Sequence, residues 1–491
     1  MRKMGIKRLP SIIAGKLIEP TEGGATIDSL DGSIRLPITE TTLPQLRSAL
    51  RFAEQSQQRL HQTTLAERLS VVKLLMEEYS KRREDIVWGL GKFRGIVAKD
   101  TQWMCDLLKK WIYESEELTN LAFGHSSKNS ETLVKSHLET YGHLSWQSKG
   151  KAVLFCSSTM DGPAAVGTIC HGILSGTHVI IRPSWRDTVT HIAYEILLEN
   201  GLDYYGQLVR WPSDSPHSDL LNKQALTQAA QSLIFSSNET YQNLISAIAA
   251  PGTAEYEGLL RKSRRYGTGL PLAIVMPSAE SHLEETANEL VAGARIGNGK
   301  FCLSTSPVLI HESLYPKLKA LLMQKAAKLR TGSPLDLQTE LGEQDSKEIS
   351  LMQRTLESFG GTIEAGTLKP SMELMILTDV PQDSVCLHQE FPGALLCLIP
   401  IQSLDQAIEI GKASLPMNQR EAWTAVVTYG SVEEFKKVAS SLESYRHCHG
   451  GIVALVKLLL PHQGSYFLLD LMRRTTVEPW AIMKKDLKKG A

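Results

Sequence analysis

The stretch RIGNGKFCLSTSPVLIH, residues 295–311, places one cysteine between a Gly-Asn-Gly turn and an apolar run. The preceding segment, HLEETANELVAGARIG (282–297), carries apolar residues on one helical face, and PVLIH is typical of a buried strand. Cys302 is therefore predicted to lie on a glycine-flanked loop that leads from a helix into a strand. A free cysteine is usually a small buried hydrophobe, but such a loop could also present a nucleophile.

Strand-like and helix-like segments alternate on both sides of this loop. Residues 151–262 show this alternation, and residues 263–450 repeat it, whereas residues 44–123 read as helices. Strands that alternate with crossover helices predict parallel, doubly wound sheets, which bind ligands beyond the carboxyl ends of their strands. The sequence therefore predicts an α/β protein with ligand sites at sheet edges.

The length, charge balance and cysteine content of the chain exclude some classes of protein function. A chain of 491 residues is too long for one ordinary core, so two or three domains are expected. Lys+Arg and Asp+Glu both number 53, and this balance argues against a general nucleic-acid binder. Seven cysteines without a CxxC pair predict neither a disulfide framework nor a metal site, and they favour a reducing, cytoplasmic location.

Targeting and membrane segments are not expected. The apolar run near the N-terminus is too short for a signal peptide. The longest apolar stretch, GIVALVKLLLP (451–461), is interrupted by Lys457 and is far shorter than a membrane span.

Several segments together resemble the aldehyde dehydrogenase superfamily from roughly residue 45 to residue 480. They match, in order, the family's Lys-Pro-Ser strand end, its Phe-Thr-Gly-Ser turn, its catalytic Cys loop, its Glu-x-Phe-Gly-Pro segment and the Asn-containing stretch that follows. The five segments are IIRPS (180–184), SLIFSSNE (232–239), RIGNGKFC (295–302), HQEFPGALL (388–396) and LPMNQREAWTAVVT (415–428).

The resemblance implies an aldehyde dehydrogenase-like fold of two doubly wound α/β domains plus an oligomerisation hairpin. Residues 1–132 and 151–262 would form the NAD(P)-binding domain, and residues 263–450 the catalytic domain with the Cys loop. Residues 133–150 and 462–491 would form the oligomerisation arm and C-terminal tail, in a homodimer or homotetramer.

Within this resemblance Cys302 is the catalytic nucleophile. A thiolate can hold an acyl group as a thioester while hydride leaves or arrives at the same carbon, provided that cationic or dipolar neighbours lower the thiol pKa. Lys300, two residues away, is one candidate for such a neighbour.

Arg182, in the same strand end as Ser184, would hydrogen-bond the adenosine ribose or pair with a 2′-phosphate. Trp185 replaces the acid that often follows this serine in NAD users of the family, so NADP is favoured over NAD. A solvated arginine at a strand end is the alternative reading of Arg182.

Five other positions are candidates for cofactor binding. Ser236 and Ser237 open a helix whose N-terminus could receive the pyrophosphate, although an ordinary serine cap explains them equally well. Glu390 matches the family's nicotinamide-ribose ligand, with Phe391 beside it. Gly267 belongs to the Gly-x-Gly segment of the acylating branch.

Two departures from the family bear on the reaction. In RRYGTGLP (264–271), Arg265 occupies the place of the glutamate that activates water in hydrolytic members. In STMDGP (158–163), the oxyanion-binding asparagine becomes Asp161 by the residue-x-Pro pattern or Thr159 by spacing. The Gly-x-Gly segment resembles the acylating branch, and CLSTSP (302–307) more loosely resembles fatty-acyl reductases.

The leading hypothesis is interconversion of an acyl thioester and an aldehyde by an NAD(P)-dependent enzyme. Its partners would be coenzyme A or a carrier protein. The alternatives are ordinary oxidation of an aldehyde to an acid, and a catalytically inactive scaffold protein.

Overall fold

The first part of the chain consists of short strands followed by four helices. The computed structural model describes residues 6–123, 131–135, 141–157, 161–267, 269–304, 306–415, 422–452 and 467–477. Elements are numbered in chain order, beginning with β1 (Ser11–Ile13), β2 (Lys16–Ile18), β3 (Thr26–Asp28), β4 (Arg35–Pro37), α1 (Leu43–Leu60), α2 (Leu65–Lys81), α3 (Arg83–Arg94) and α4 (Ala98–Phe123).

Local sequence fixes where the first two helices begin. The Thr42 hydroxyl accepts from the Gln45 amide while the Gln45 side chain accepts from the Thr42 amide, and Thr64 and Glu67 repeat this capping box. The third helix ends at Gly95, whose φ of 71° is the left-handed conformation that favours glycine. This corner between α3 and α4 later contacts the Cys302 loop.

The first large sheet is mostly parallel. Within the described residues its order is β11-β10-β7-β8-β9-β1-β2, and only β1 and β2 run antiparallel to their neighbours. Its elements are β7 (Ala152–Phe155), α5 (Pro163–Ser175), β8 (Val179–Arg182), α6 (His191–Glu199), β9 (Gly206–Leu208), α7 (Ser218–Gln228), β10 (Gln231–Phe235), α8 (Asn238–Ser246), α9 (Ala254–Lys262) and β11 (Ser263–Tyr266).

The second large sheet repeats this design. Its order within the described residues is β16-β17-β18-β13-β12-β19-β20, and β16 alone runs antiparallel there. Its elements are β12 (Pro271–Val275), α10 (Leu283–Arg295), β13 (Pro307–His311), α11 (Tyr315–Ala326), α12 (Ser346–Phe359), β16 (Thr362–Ala365), β17 (Met375–Thr378), β18 (Leu395–Ile401), α13 (Leu404–Ser414), β19 (Ala425–Tyr429), α14 (Val432–Ser441) and β20 (His447–His449), with a separate pair β14 (Thr331–Gly332) and β15 (Leu341–Gly342). The predicted α/β class with two parallel sheets is confirmed.

A small antiparallel sheet lies outside these two layers. It contains β5 (Glu131–Lys135), β6 (Tyr141–Ser148) and β21 (Met472–Val477), in the order β21-β6-β5, and α15 (Phe467–Asp470) precedes its last strand. The predicted arm thus pairs with the predicted tail over 143–148 and 472–477. The predicted residues 136–140, 462–466 and 478–491 lie outside the described part, and the domain boundaries stay a prediction.

The connection between the large sheets brings two opposite edges together. Strand β11 ends at Tyr266 on the carboxyl edge of the first sheet, and β12 begins at Pro271 on the amino edge of the second sheet. Only residues 267–270 separate them, so the carboxyl edge of one sheet meets the amino edge of the other here.

Candidate active site

The sequence-predicted site residues fall on these two facing edges. Arg182 is the last residue of β8 and Ser236 directly follows β10, both on the carboxyl edge of the first sheet. Cys302 precedes β13 and Glu390 precedes β18, both on the amino edge of the second sheet. Two of these residues thus lie on the carboxyl edge of the first sheet, and two lie on the amino edge of the second sheet.

The Cys302 loop leaves helix α10 through consecutive left-handed residues. Gly297, Asn298 and Gly299 have φ values of 61°, 59° and 70°, of which only the asparagine carries a side-chain cost. Cys302 itself is half-buried and follows this turn before the chain enters β13. The Gly-Asn-Gly sequence therefore produces the sharp turn that places the thiol.

Gly269 brings the end of the first sheet against Cys302. A Cβ atom built on Gly269 would lie 2.5 Å from Cys302 Cβ and closer still to the Cys302 carbonyl oxygen. Real Cβ atoms do not approach so closely, so only glycine fits here. The segment that begins at Arg265 therefore runs directly past the thiol loop.

A second close approach joins the thiol loop to the segment of Glu390. A Cβ atom on Gly299 would lie 2.4 Å or less from backbone atoms of Gly393 and Ala394. The loops before β13 and β18 therefore touch backbone to backbone, and glycine at position 299 makes this possible.

The α3–α4 corner holds the start of the thiol loop. The Gly297 amide donates to Asp100 Oδ2 at 2.8 Å, and Arg295 Nη1 lies 3.4 Å from Asp100 Oδ1. Asn298 Nδ2 donates to the Gly95 carbonyl at 2.6 Å, and its Oδ1 accepts from the Gly342 amide at 3.0 Å. Burial raises the pKa of Asp100, while Arg295 and the Gly297 amide oppose this rise.

Lys300 lies two residues from Cys302 in sequence, but its side chain contacts helix α12. Its Nζ donates to Glu348 Oε2 at 2.7 Å on α12 and to the Arg94 carbonyl at 3.4 Å. Burial lowers the pKa of Lys300, and the Glu348 carboxylate works against this shift. The Lys300 side chain is thus paired with Glu348 on α12, and an effect of its charge on the Cys302 thiol stays a prediction.

Arg265 lies on strand β11 opposite Ile234 of β10 and is half-buried. Its guanidinium lies over Gly267, since a Cβ atom built there would be 2.8 Å from Arg265 Cζ. Its charge also acts on Tyr241 of α8, where it opposes the desolvation that raises the pKa of that phenol. A cation thus stands where the resemblance expects a carboxylate.

Arg182 is half-buried at the end of β8. Its Nη2 donates to the Trp211 carbonyl at 2.9 Å, and its Cζ lies 5.4 Å from the Trp211 ring centroid. Its buried Nε makes no hydrogen bond with any described residue. Burial lowers the pKa of Arg182 to about 10, so the side chain stays cationic at neutral pH.

Ser184 and Asp161, predicted for different roles, contact each other. The Ser184 hydroxyl donates to Asp161 Oδ1 at 2.7 Å, and Arg94 Nε lies 3.1 Å from Asp161 Oδ2. The Asp161 side chain is only 1% exposed. Burial raises its pKa well above the usual range, and nearby Asp187 adds to the rise. The structure therefore uses this carboxyl to join α3 to the end of β8.

The remaining predicted residues have mixed surroundings. Ser237 caps α8, since its hydroxyl accepts from the Thr240 amide at 3.1 Å, and Ser236 donates its hydroxyl to the Ser237 carbonyl at 3.2 Å. Phe391 is buried beside Phe359 with ring centroids 6.2 Å apart, so its ring belongs to the core of the second domain. Glu390 is half-buried, and Thr159 lies outside the described residues.

Comparison with known proteins agrees with this geometry. Residues 237–444 match the model of the aldehyde dehydrogenase family. Over these residues the chain is similar to the aldehyde dehydrogenase family. These residues span the end of the first sheet, the Cys302 loop, the Glu390 segment and most of the second sheet, so the suspected family resemblance is confirmed.

Curated relatives match shorter parts of the chain. An aldehyde dehydrogenase of Paenarthrobacter nicotinovorans is 27% identical over 165 residues, which cover 32% of this chain and 36% of that protein. A succinate-semialdehyde dehydrogenase [NADP(+)] of Mycobacterium tuberculosis is 26% identical over 160 residues, which cover 31% of this chain and 35% of that protein. The matched segments thus span about a third of these relatives' length.

Solved aldehyde dehydrogenase structures share the whole fold. Aldehyde dehydrogenase 21 of Physcomitrella patens superposes with a TM-score of 0.82 over 96% of this chain and 98% of its own, at 15% identity. A lactaldehyde dehydrogenase of Escherichia coli gives a TM-score of 0.81 over 96% and 99%, also at 15% identity. This likeness establishes the aldehyde dehydrogenase fold across nearly the full chain.

Sequence reasoning missed several residues that support the thiol loop. Asp100, Arg94 and Asn298 reach their partners across the domain boundary, which no local pattern reveals. Gly269 had a signal, because it belongs to the Gly-x-Gly segment. Asn298 had a weaker signal, since an asparagine between two glycines is a candidate for the left-handed conformation.

The described part of the chain shows neither a cluster of metal ligands nor a membrane-spanning helix. No group of three or more His, Cys, Asp or Glu side chains there could hold a metal ion. Among the helices in that part, none is long and apolar enough to cross a membrane.

Proposed function

We propose that this protein is an NAD(P)-dependent oxidoreductase that interconverts an acyl thioester and an aldehyde through an acyl-Cys302 intermediate. The observation that carries the proposal is the placement of Cys302 on the turn between the two facing sheet edges. Five of the seven cysteines are buried, and only Cys302 and Cys448 are partly exposed. Cys448 lies within strand β20, so Cys302 is the thiol that a loop presents.

The chemistry needs a thiolate and a carbonyl compound held beside a hydride carrier. The Cys302 sulfur adds to the aldehyde carbon, and the C–H bond then breaks with its electron pair to leave a thioester. A bound nicotinamide supplies the place to which this hydride goes, and from which it returns in the reverse direction. Attack by an external thiol on the thioester carbon releases the acyl group and restores the Cys302 thiol.

The first-sheet edge suits a dinucleotide. Arg182 places a cation at the end of β8, with a buried Nε that has no hydrogen-bond partner among the described residues, and the capped N-terminus of α8 follows the end of β10. Arg182, Ser236, Ser237 and Gly267 are the proposed contacts there, and Glu390 is the proposed contact from the amino edge of the second sheet. The absence of an acid after Ser184, where Trp185 packs on the core, favours NADP. The Ser184 hydroxyl already donates its proton to Asp161, so it would contact a ribose hydroxyl as an acceptor.

Arg265 favours transfer to a thiol over hydrolysis. A guanidinium cannot remove a proton from water, and general-base assistance is typically worth roughly a hundredfold to ten-thousandfold in rate. The thioester would therefore persist until a thiol or hydride reacts with it. Coenzyme A or a carrier protein could supply that thiol.

Ordinary oxidation of an aldehyde to an acid is the second candidate function. It is favoured by the relatives whose names specify aldehyde or semialdehyde dehydrogenases. It requires that a group other than residue 265 activates water.

The direct test measures how the product divides between acid and thioester. The protein is incubated with an aldehyde and oxidised cofactor, with and without coenzyme A, and both products are quantified. We expect thioester formation with coenzyme A and slow acid formation without it. Cys302→Ala should abolish both, whereas Cys448→Ala should abolish neither. Sustained acid production without a thiol would favour the second candidate function.

We also propose a cytoplasmic homodimer or homotetramer assembled through the arm. Strands β5 and β21 form the two edges of the small sheet, and exposed strand edges invite pairing with another chain. Light scattering at micromolar concentration tests this, and a monomer would contradict it.

A further inference from the structure

Asn298 occupies an unusual position in the loop that carries Cys302. Its side chain is fully buried and its backbone is left-handed, with φ 59° and ψ 28°. A non-glycine residue in this conformation costs roughly 1–2 kcal/mol unless its surroundings hold it there. The flanking glycines bear no such cost, so the asparagine is present for the contacts that its side chain makes.

Those contacts join three segments that are distant in sequence. The Asn298 amide group donates to the Gly95 carbonyl at the end of α3, 203 residues away. Its carbonyl group accepts from the Gly342 amide in β15, 44 residues away. The approach is tight on both sides, because a Cβ atom on Gly342 would lie 3.3 Å from Asn298 Nδ2 and still closer to the Gly95 carbonyl oxygen.

The donor and the acceptor of the Asn298 side chain thus both form hydrogen bonds, and an aliphatic side chain could form neither. A buried polar atom that loses its partner costs more than the hydrogen bond itself gains. Gly95 and Gly342 would each keep an unsatisfied backbone group if Asn298 were shortened. The loop would then relax, and Cys302 lies only four residues farther along it.

We propose that Asn298 is a positioning residue that holds the Cys302 thiol at the junction of the two sheets through its bonds to Gly95 and Gly342. This inference rests on the proposed role of Cys302 as the nucleophile. Displacement of a reacting group by about 1 Å can cost roughly a hundredfold in rate. Loss of the Asn298 bonds should therefore slow the chemical step, whereas the cofactor contacts at the ends of β8 and β10, which lie on other elements, should keep their affinity.

The test begins with Asn298→Gly, which permits the left-handed backbone but removes both side-chain bonds. We expect kcat to fall roughly tenfold to a hundredfold, and the KM for the nicotinamide cofactor to stay unchanged. The rate at which iodoacetamide alkylates Cys302 should also differ from that of the parent protein. Mass spectrometry of the peptide that contains Cys302 measures this rate. Unchanged kcat and alkylation rate would overturn the proposal.

A second variant, Asn298→Asp, distinguishes positioning from general stability. The new carboxyl keeps the size and the acceptor of asparagine, but only its protonated form can donate to the Gly95 carbonyl. The ratio of the variant's kcat to that of the parent should therefore rise as the pH falls, because protonation restores the donor. A ratio that stays constant or declines with falling pH would contradict the proposal, even if Asn298→Gly did not fold.

Asp379→Gly is the matched control. Asp379 is another left-handed non-glycine residue, with φ 53°, and it follows β17 at the carboxyl edge of the second sheet, opposite the edge where Cys302 lies. The kcat of the Asp379→Gly variant should equal that of the parent protein. Failure of the nucleophile assignment would be seen separately, as turnover that survives in Cys302→Ala.

Discussion

Arg265 is the residue whose chemistry bears most directly on the product. It lies on β11 a few residues before Gly269, which contacts the Cys302 backbone. Side chains alternate between the faces of a strand, so Arg265 and Arg264 project to opposite faces of β11. Consistent with this, Arg264 Cζ lies 5.8 Å from the Tyr266 ring centroid, whereas the Arg265 charge acts on Tyr241.

We therefore predict that Arg265→Glu increases acid formation from an aldehyde in the absence of a thiol. A carboxylate at this position can accept a proton from water, and roughly tenfold or more is expected from general-base assistance. The measurement is the rate of acid release with oxidised cofactor.

Arg264→Glu is the matched control for this change. It makes the same change of charge on the opposite face of the strand and should leave acid formation unchanged. Equal effects of the two substitutions would show that charge alone, rather than position, alters the reaction.

Single residues were predicted unevenly from the sequence. Cys302 could be placed on a loop between a helix and a strand because PVLIH is apolar and regular, whereas Glu390 was predicted only from the family resemblance. Lys300 could not be placed, since consecutive left-handed residues turn its side chain toward Glu348. Asn298 could not be assigned either, because Gly95 and Gly342 approach it only in the folded chain.

At the scale of elements, the segment between β11 and β12 depends on a close approach. Gly269 is buried, and its missing side chain leaves room for the Cys302 backbone. Strand β12 follows Gly269 in the chain, and helix α10 precedes the Cys302 loop, so these two elements hold the segments that meet here. The geometry of the thiol loop is therefore set by glycine as much as by any polar group.

Gly269→Ala should displace the thiol loop and sharply reduce activity. The added methyl would overlap backbone atoms of Cys302, which cannot move as easily as a flexible side chain. We expect a loss of roughly a hundredfold in kcat, measured with saturating aldehyde and cofactor.

Gly258→Ala provides the comparison for this prediction. Gly258 lies in helix α9, and the nearest atom to an added Cβ would be 4.0 Å away. Alanine there should leave activity unchanged and stabilise the helix by roughly 0.5–1 kcal/mol. Full activity in Gly269→Ala would contradict the account of the close approach.

Elements were easier to predict than the contacts between them. The buried strands β12, β13, β18 and β19 follow directly from their apolar runs, and α10 follows from its apolar face. The register between sheets could not be predicted in this way, because it depends on backbone approaches at glycines such as Gly299.

At the scale of the whole molecule, the layer around the first sheet buries neutral histidines. His171 on α5 has its ring centroid 5.5 Å from that of Phe467, and its Nδ1 makes no hydrogen bond with the described residues. His178 contacts the Tyr204 carbonyl through Nδ1 at 2.8 Å and Gln207 Nε2 through Nε2 at 2.8 Å. Burial lowers the pKa of both histidines to about 4.

Stability should consequently fall as the medium becomes acidic. The unfolded chain protonates each histidine near pH 6.5, whereas the folded chain resists protonation until about pH 4. Protonation therefore favours the unfolded state between these two pH values. Each histidine lowers the free energy of unfolding by about 2 kcal/mol between pH 7 and pH 5.

His171→Phe removes one of these groups and should reduce the acid-induced loss of unfolding free energy by about 2 kcal/mol. The measurement is thermal unfolding at pH 7 and pH 5, compared with the parent protein. His282→Asn is the control, because that side chain is 73% exposed and should leave the pH dependence unchanged. An identical decrease of Tm in His171→Phe and the parent would contradict the prediction.

The measurement that tests the central claim most directly is the mass of the intact protein after incubation with an acyl-CoA. The account predicts the addition of one acyl group, carried by the peptide that contains Cys302 and absent from Cys302→Ala. The adduct should disappear when reduced nicotinamide is added, as the aldehyde is released. No adduct on the parent protein, or an adduct that persists in Cys302→Ala, would contradict the claim that Cys302 carries the acyl group.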